Sequence, residues 1–303
     1  MTTIIETWPL LLRPQAENNG DEATTRARTH LFARLAVLIA ALFALSACTT
    51  TSVFRSAAPY QPPSDRYAAI VINASTGKVL HETRADAIRY PASLTKMMTM
   101  YLVFDALERG RISKTTKIPI SAKAAAEPAS KLYLKPGTTI TVDEALRTLA
   151  VKSANDVAYA VAEFMAGSEA AFARQMTSKA RALGMSSTVF RNASGLPDKG
   201  QVSTARDMAK LGTALLKRFP RQFGYFSKRN TTFRGKTIRG HNRVLGRLRG
   251  ANGIKTGYTR ASGYNLVTSM RKNGRNYIGV ILGENSGKLR DQHMVELMTH
   301  YVK

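Results

Sequence analysis

Cysteine is almost missing from this 303-residue chain: there is one, Cys48, so no internal disulfide framework holds the fold together. Long apolar runs are missing too. The stretch from Leu35 to Leu45 is too short for a membrane span, which needs about 20 residues. The five histidines are scattered. His241 lies near a motif-bearing strand, yet no Ser-His-Asp arrangement or metal-ligand spacing emerges, and no cofactor or metal is implied. Acid is absent from Met208 to Gly283, while Lys and Arg recur throughout that segment.

What is present is an ordinary globular composition, 44% hydrophobic and 21% charged, sufficient for one large or two modest domains. The net charge of +25 favours anionic partners: nucleic acid, lipid headgroups or acidic cell-wall polymers. The N-terminal segment narrows that choice. Arg26, Arg28 and Arg34 precede the short apolar stretch, and Leu45-Ser46-Ala47-Cys48 follows. This is the pattern of a secretory signal. Leu-Ser-Ala-Cys is also similar to a bacterial lipobox, with Cys48 as the lipidated mature N-terminus; the plainer reading is a signal peptide with an incidental cysteine. Residues 1–25 are long for the basic region of a signal, which fits an assigned start upstream of the true one. The expected organisation is a signal at 1–47, a Ser/Thr/Pro-rich tether at 48–65 and a folded domain at 66–303.

Two short apolar runs, 68–72 and 78–81, flank a Gly-containing turn and predict a hairpin. Ser93 opens a helix running to Gly110, a C-terminal cap. Thr141-Val142-Asp143-Glu144 is a capping box opening a second helical stretch. Ser168 and Gly184 bracket a third helix, and Ser203 starts a fourth. Strands return at 253–257, 263–268 and 277–282, with Asn273-Gly274 as a hairpin turn, and an amphipathic helix closes the chain over Leu289 to Tyr301. Strands first and last, with helices between, predict an α+β fold: one antiparallel sheet assembled from both chain ends, helices on its faces and a mostly helical insertion at roughly 93–225.

Ser-x-x-Lys occurs three times, as Ser75/Lys78, Ser93/Lys96 and Ser269/Lys272. The first spans a turn and the last lies near the end of a strand, where residues three apart point to opposite faces. Only Ser93 and Lys96 fall at a helix start, one turn apart on the same face. A neutral lysine there can take the proton of the serine hydroxyl. Taken alone, Ser93 also reads as a helix N-cap. Ser153-Ala154-Asn155 and Lys255-Thr256-Gly257 follow, each the sole instance of its pattern. Alone, these read as a helix break and a strand ending in a turn.

Together the three motifs resemble those of the penicillin-binding and serine β-lactamase superfamily. Tyr90 to Thr99, Lys152 to Asp156, Ser194-Gly195-Leu196-Pro197, Ser203 to Ala209 and Gly253 to Thr259 are most similar to the low-molecular-mass D-alanyl-D-alanine carboxypeptidases, over roughly residues 67–303. The resemblance implies a three-layer αβα fold with a five-stranded antiparallel sheet. It implies that Ser93 is the nucleophile, Lys96 its general base and Ser153 a proton relay. Asn155 would hold a substrate amide, and Lys255 and Thr256 the terminal carboxylate. Gly257 would let substrate approach the strand edge, and the N–H groups of Ser93 and Tyr258 would form an oxyanion hole. Arg243 and Arg290 are further candidates for carboxylate contacts. The implied partners are peptidoglycan peptide stems, β-lactams and, through Cys48, a membrane. Many members carry a second β-domain and a C-terminal amphipathic anchor. With 46 residues after Gly257, neither is expected here, and a lipid on Cys48 is expected to replace the anchor.

A β-lactamase is the first rival. The glutamate that activates the deacylating water would be expected in the loop from Phe190 to Ser203, which contains none; Glu163 and Glu169 come too soon after Asn155. Slow deacylation of penicillin is therefore expected. A D,D-endopeptidase uses the same catalytic parts. A non-enzymatic basic protein is the remaining rival. The export signal and the lack of an aromatic-rich single-strand motif argue against nucleic acid, leaving a solvated basic face or one that binds anionic cell-wall surfaces.

Overall fold

The computed structural model describes residues 64–303. Cys48, the signal segment and nearly all of the tether lie outside the described residues. Among the described residues no helix is long and apolar enough to cross a membrane.

Strands β1 (Ala68–Asn73) and β2 (Val79–Thr83) form the expected hairpin, with β1 buried at every position. At the other end of the chain, β7 (Ala251–Thr259), β8 (Gly263–Lys272) and β9 (Arg275–Glu284) form an antiparallel meander. The two ends join where β1 pairs antiparallel with β9, Ile70 opposite Val280. The result is a five-stranded sheet in the order β2-β1-β9-β8-β7. β7 is therefore an outer strand.

Six helices lie between the sheet's two halves: α1 (Lys96–Glu108), α2 (Ala122–Ala126), α3 (Val142–Val151), α4 (Asn155–Ala166), α5 (Glu169–Ala182) and α6 (Ala205–Arg218). α1 is apolar nearly all round, as befits a helix enclosed by others, and Met97, Met98, Met100 and Phe104 are fully hidden. Its unbranched methionines fill irregular space between the neighbouring helices. The caps follow side-chain chemistry. Thr141 and Glu144 close the predicted capping box on α3, and Ser168 caps α5.

α6 packs on one face of the sheet, in the main core with Ile70, Val267 and Val280. α7 (Gly287–Tyr301) covers the other face through Met294 and Met298, which meet Val71, Leu266 and Ile281. Gly279 of β9 makes that approach possible, since a Cβ there would lie 2.6 Å from the Met298 sulfur.

Several expected boundaries move. Ser203 does not start α6; Thr204 caps it, and the buried Ser203 instead pairs its backbone with Arg89. α7 begins at Gly287 rather than Leu289, because Ser286 supplies its cap. The second helical stretch divides into α3 and α4 at Ser153, whose φ of +63° a helix cannot contain. Two small ladders were not expected: β3 (Lys117–Pro119) with β4 (Thr139–Thr141), and β5 (Asn230–Phe233) with β6 (Lys236–Arg239). Their strands of three and four residues are too short to show alternation.

Candidate active site

Ser93 is not a helix cap. It lies in a 3₁₀ turn, Ala92–Thr95, that runs into α1, and no side-chain cap bond is made at either start. Ala92 before it takes φ +48°, a left-handed conformation that aims the turn into the cleft. Lys96 is fully buried, and its amine lies 3.4 Å from Ser93 Oγ. It also donates to Asn155 Oδ1 at 2.7 Å and to the Ser194 carbonyl at 2.5 Å. In a neutral amine those two bonds use both N–H groups and leave the lone pair for the serine hydroxyl.

From the opposite wall, Lys255 of β7 donates to Ser153 Oγ at 3.0 Å and to the Thr256 carbonyl at 2.9 Å. It too is buried. Burial, followed by the nearby Lys255 charge, pushes Lys96 well below the usual lysine range. Burial, followed by Arg290, brings Lys255 down to about 7.

The β7 strand approaches the serine turn closely. A Cβ on Gly257 would lie 3.0 Å from Ser93 N and 3.1 Å from the Pro91 carbonyl, so only glycine lets strand and turn meet without displacement. Ser93, Ser153, Asn155, Thr256, Gly257 and Tyr258 all line one cleft of about 610 Å³.

Arg243 and Arg290 line this cleft as well. They differ. Arg290 is buried and already paired with Asp291, at 3.0 Å through Nε and 2.6 Å through Nη2. Arg243 is exposed and has no ion pair among the described residues. Asn155 donates one N–H to the Pro128 carbonyl at 2.9 Å, leaving its second amide hydrogen for a ligand.

Four contributors carried no assigned role in the sequence. Asn265 of β8, fully hidden, donates to the Tyr90 and Pro91 carbonyls at 3.0 and 3.1 Å and ties the serine turn to the sheet. Asp156 accepts from Leu132 N and Leu134 N, fixing the loop beside Asn155. Ser194 acts through its carbonyl, which no side-chain pattern reveals. Glu169 is distant in sequence from the loop 190–203, yet its carboxylate accepts from Ala193 N at 2.9 Å. Glu169 opens α5, a helix that precedes the loop as expected, and from there it meets the loop at Ala193. Burial raises its pKa above the usual carboxylate range despite that hydrogen bond.

A five-stranded antiparallel sheet with a helical block, and a serine turn between two buried lysines, is the architecture of a DD-peptidase or penicillin-binding protein. The chain belongs to the D-alanyl-D-alanine carboxypeptidase family, peptidase S11, whose model matches residues 55–286. It is 36% identical over 235 residues to D-alanyl-D-alanine carboxypeptidase DacF of Bacillus subtilis, covering 76% of this chain and 60% of DacF. It is 37% identical over 248 residues to DacA of Escherichia coli K12, covering 80% of this chain and 62% of DacA. The chain thus spans about three-fifths of the length of these relatives. Penicillin-binding protein D2 of Listeria monocytogenes, solved in its cefotaxime-bound form, superposes with a TM-score of 0.72 at 31% identity, over 78% of this chain and 96% of that one.

Proposed function

We propose that this chain is a serine-type D-Ala-D-Ala carboxypeptidase that removes the terminal D-alanine from peptidoglycan pentapeptide stems. The observation that carries this reading is the pairing of Ser93 with a buried, deprotonation-prone Lys96 at 3.4 Å, opposite a Lys255–Ser153 pair at 3.0 Å.

In this reading Lys96 takes the hydroxyl proton as Ser93 Oγ attacks the carbonyl between the two D-alanines. The N–H groups of Ser93 and Tyr258 stabilise the oxyanion, each such donor contributing about 3 kcal/mol. Ser153, held by Lys255, passes a proton to the departing amine. Asn155 receives the substrate carbonyl on its remaining N–H. Lys255 and Thr256 bind the terminal carboxylate. Arg243, with no ion pair among the described residues, adds to that contact from the cleft wall, and Arg290, held by Asp291, lines the same cleft. Water then opens the acyl-enzyme.

Penicillin acylates the same serine and leaves slowly. The loop from Phe190 to Ser203 has no glutamate to activate water, and the Glu169 carboxylate is engaged by Ala193 N. The enzyme acts outside the cytoplasmic membrane, in the periplasm or cell envelope, held by a lipid on Cys48 after removal of residues 1–47. The motif Leu45-Ser46-Ala47-Cys48 supports this placement.

The test is mass spectrometry after incubation with a labelled β-lactam, together with D-alanine release from a pentapeptide. A covalent adduct on the Ser93 peptide and loss of one alanine are expected. Full activity in Ser93→Ala, or penicillin turnover faster than D-alanine release, overturns the proposal.

A further inference from the structure

The catalytic cleft opens into a smaller chamber that neither Arg243 nor Arg290 lines. Gly195, Leu196 and Thr259 line both spaces, and the second, of about 290 Å³, lies between the serine turn and the loop that follows Ser194. Its walls are mostly apolar, from Tyr90, Pro91, Ala92, Leu196 and Pro197. Asp198 and Lys199, both exposed, supply its charge.

The loop wall is built before any ligand arrives. Gln201 is hidden, and its amide accepts from Arg191 N at 3.1 Å and donates to the Leu196 carbonyl at 3.2 Å. Asn192 donates to the same carbonyl at 3.0 Å and accepts from Gly195 N at 2.7 Å. Asp198 Oδ1 accepts from Gly200 N at 2.7 Å, which fixes the carboxylate on the rim. Neither Asp198 nor Lys199 makes an ion pair among the described residues, with the other or elsewhere.

An unpaired acid is unusual in this part of the chain. From Phe190 to Gly283 the acids are Asp198 and Asp207, and Asp207 is buried and accepts from Ser187 N and the Thr188 hydroxyl. In the catalytic cleft itself, Asp291 is held by Arg290. Among the described residues, Asp198 is thus the carboxylate on either space that is left to meet a cation from outside. The two spaces together are basic at the Arg243 end and carry a free acid at the Asp198 end.

Strand β7 indicates what lies there. With the terminal carboxylate at Lys255 and Thr256 and the oxyanion at Tyr258 N, as proposed above, a substrate runs antiparallel along the free edge of this outer strand. Its acyl side continues past Tyr258. Strand residues advance about 3.3 Å each, so the substrate residue two before the scissile bond falls near Thr259 and Ala261, at the chamber. In a peptidoglycan stem that residue is the diamino acid. An aliphatic side chain with a charged tip suits apolar walls that carry their charge at the rim.

We infer that this chamber is a specificity subsite for the diamino acid of the stem, in which Asp198 receives the side-chain ammonium and Lys199 a carboxylate on the same carbon. The enzyme therefore selects a side chain that ends as a zwitterion. The inference rests on the carboxypeptidase reading and narrows its substrate. A bare ammonium meets Lys199 as a like charge, and an acetylated amine leaves Asp198 unmatched.

The experiment measures D-alanine release from three pentapeptide stems that differ only at that side chain: one ending in ammonium and carboxylate, the same stem with this amine acetylated, and a lysine stem that lacks the carboxylate. Wild type is expected to prefer the first over each of the others by roughly 3- to 10-fold in kcat/KM, the range of a partly exposed charge-assisted pair. High salt should shrink both preferences. Asp198→Asn keeps an acceptor for Gly200 N and removes the charge, so the preference over the acetylated stem should collapse toward one, and Asp198→Lys should invert it. Lys199→Gln should instead collapse the preference over the lysine stem. Each readout is a ratio within one variant, so a general loss of activity does not move it. Equal release from all three stems by wild type overturns the inference and leaves the carboxypeptidase standing. Preferences that survive these substitutions also overturn it. Release from none of the stems removes the carboxypeptidase reading itself.

Discussion

Lys255 donates to Ser153 at 3.0 Å across 102 positions of chain, and this contact closes the wall opposite Ser93. Under the proposed function this pair sets a pH window. Lys96 works as a base only when neutral, so activity rises as pH passes upward through its lowered pKa. Lys255 attracts a carboxylate only when charged, so activity falls as pH rises past about 7. A bell-shaped kcat/KM profile is expected, measured by D-alanine release between pH 5 and 9. Lys255→Arg, which keeps its charge throughout that range, should lose the descending limb whatever its absolute rate. A descending limb that persists in this variant assigns it to another group.

The same two lysines make stability depend on pH. Both bind protons less readily in the folded chain than in the unfolded one, where lysine titrates near 10.4, an approximate reference value. Between about 7 and that value the unfolded chain holds more protons, so folding stability rises with pH. Thermal melts at pH 7, 8 and 9 should show an increasing melting temperature, with a shallower slope in Lys255→Met. A flat or falling series contradicts the burial of two strained amines.

Much of this architecture was legible in local chemistry. Two apolar runs joined by Asn273-Gly274 gave the β8–β9 hairpin, Thr141 and Glu144 gave a helix start, and the order of strands and helices gave a sheet closed by the two chain ends. The convergence of Ser93, Ser153 and Lys255 followed from motif order and resemblance rather than from periodicity. The supports behind them were not legible. Asn265 sits in a strand with no local mark separating it from any other asparagine, and its value comes from two carbonyls some 175 residues away. The Ser194 carbonyl has no side-chain signature at all. Glu169 reads as the first acid of an amphipathic helix, and only the packing of α5 under the loop gives it a partner at Ala193.

Two glycines should separate folding from catalysis. Gly195 has φ +85°, and a Cβ there would lie 1.9 Å from the Ala92 carbonyl. Gly195→Ala combines left-handed strain with a backbone clash and is expected to cost about 3 kcal/mol of stability along with activity. Gly257 has no such strain, and its Cβ would press on Ser93 N, Pro91 O and Leu94 N at 3.0 to 3.2 Å. Gly257→Ala should therefore lower acylation roughly 10- to 100-fold by displacing the nucleophile while costing only about 1 kcal/mol. Chemical denaturation and β-lactam acylation rates, measured on both variants, test the contrast; equal stability losses would contradict it.

Glu169 offers a way to move Lys96 without touching it. Its carboxylate accepts from Ala193 N at 2.9 Å, one residue before the Ser194 carbonyl that receives Lys96. Its charge is also one of the influences raising the Lys96 pKa against burial and Lys255. Glu169→Gln keeps an acceptor for Ala193 N and removes the charge. The Lys96 pKa should then fall further, and the ascending limb of the pH profile should shift to lower pH with the loop intact. Glu169→Ala removes acceptor and charge together, which frees the Ser194 loop and should lower the maximal rate several-fold besides shifting the limb. Profiles of kcat/KM for the two variants distinguish a charge effect from a positioning effect. An unshifted limb in Glu169→Gln would show that Lys96 does not sense this carboxylate, and an unchanged maximal rate in Glu169→Ala would show that the loop holds without it.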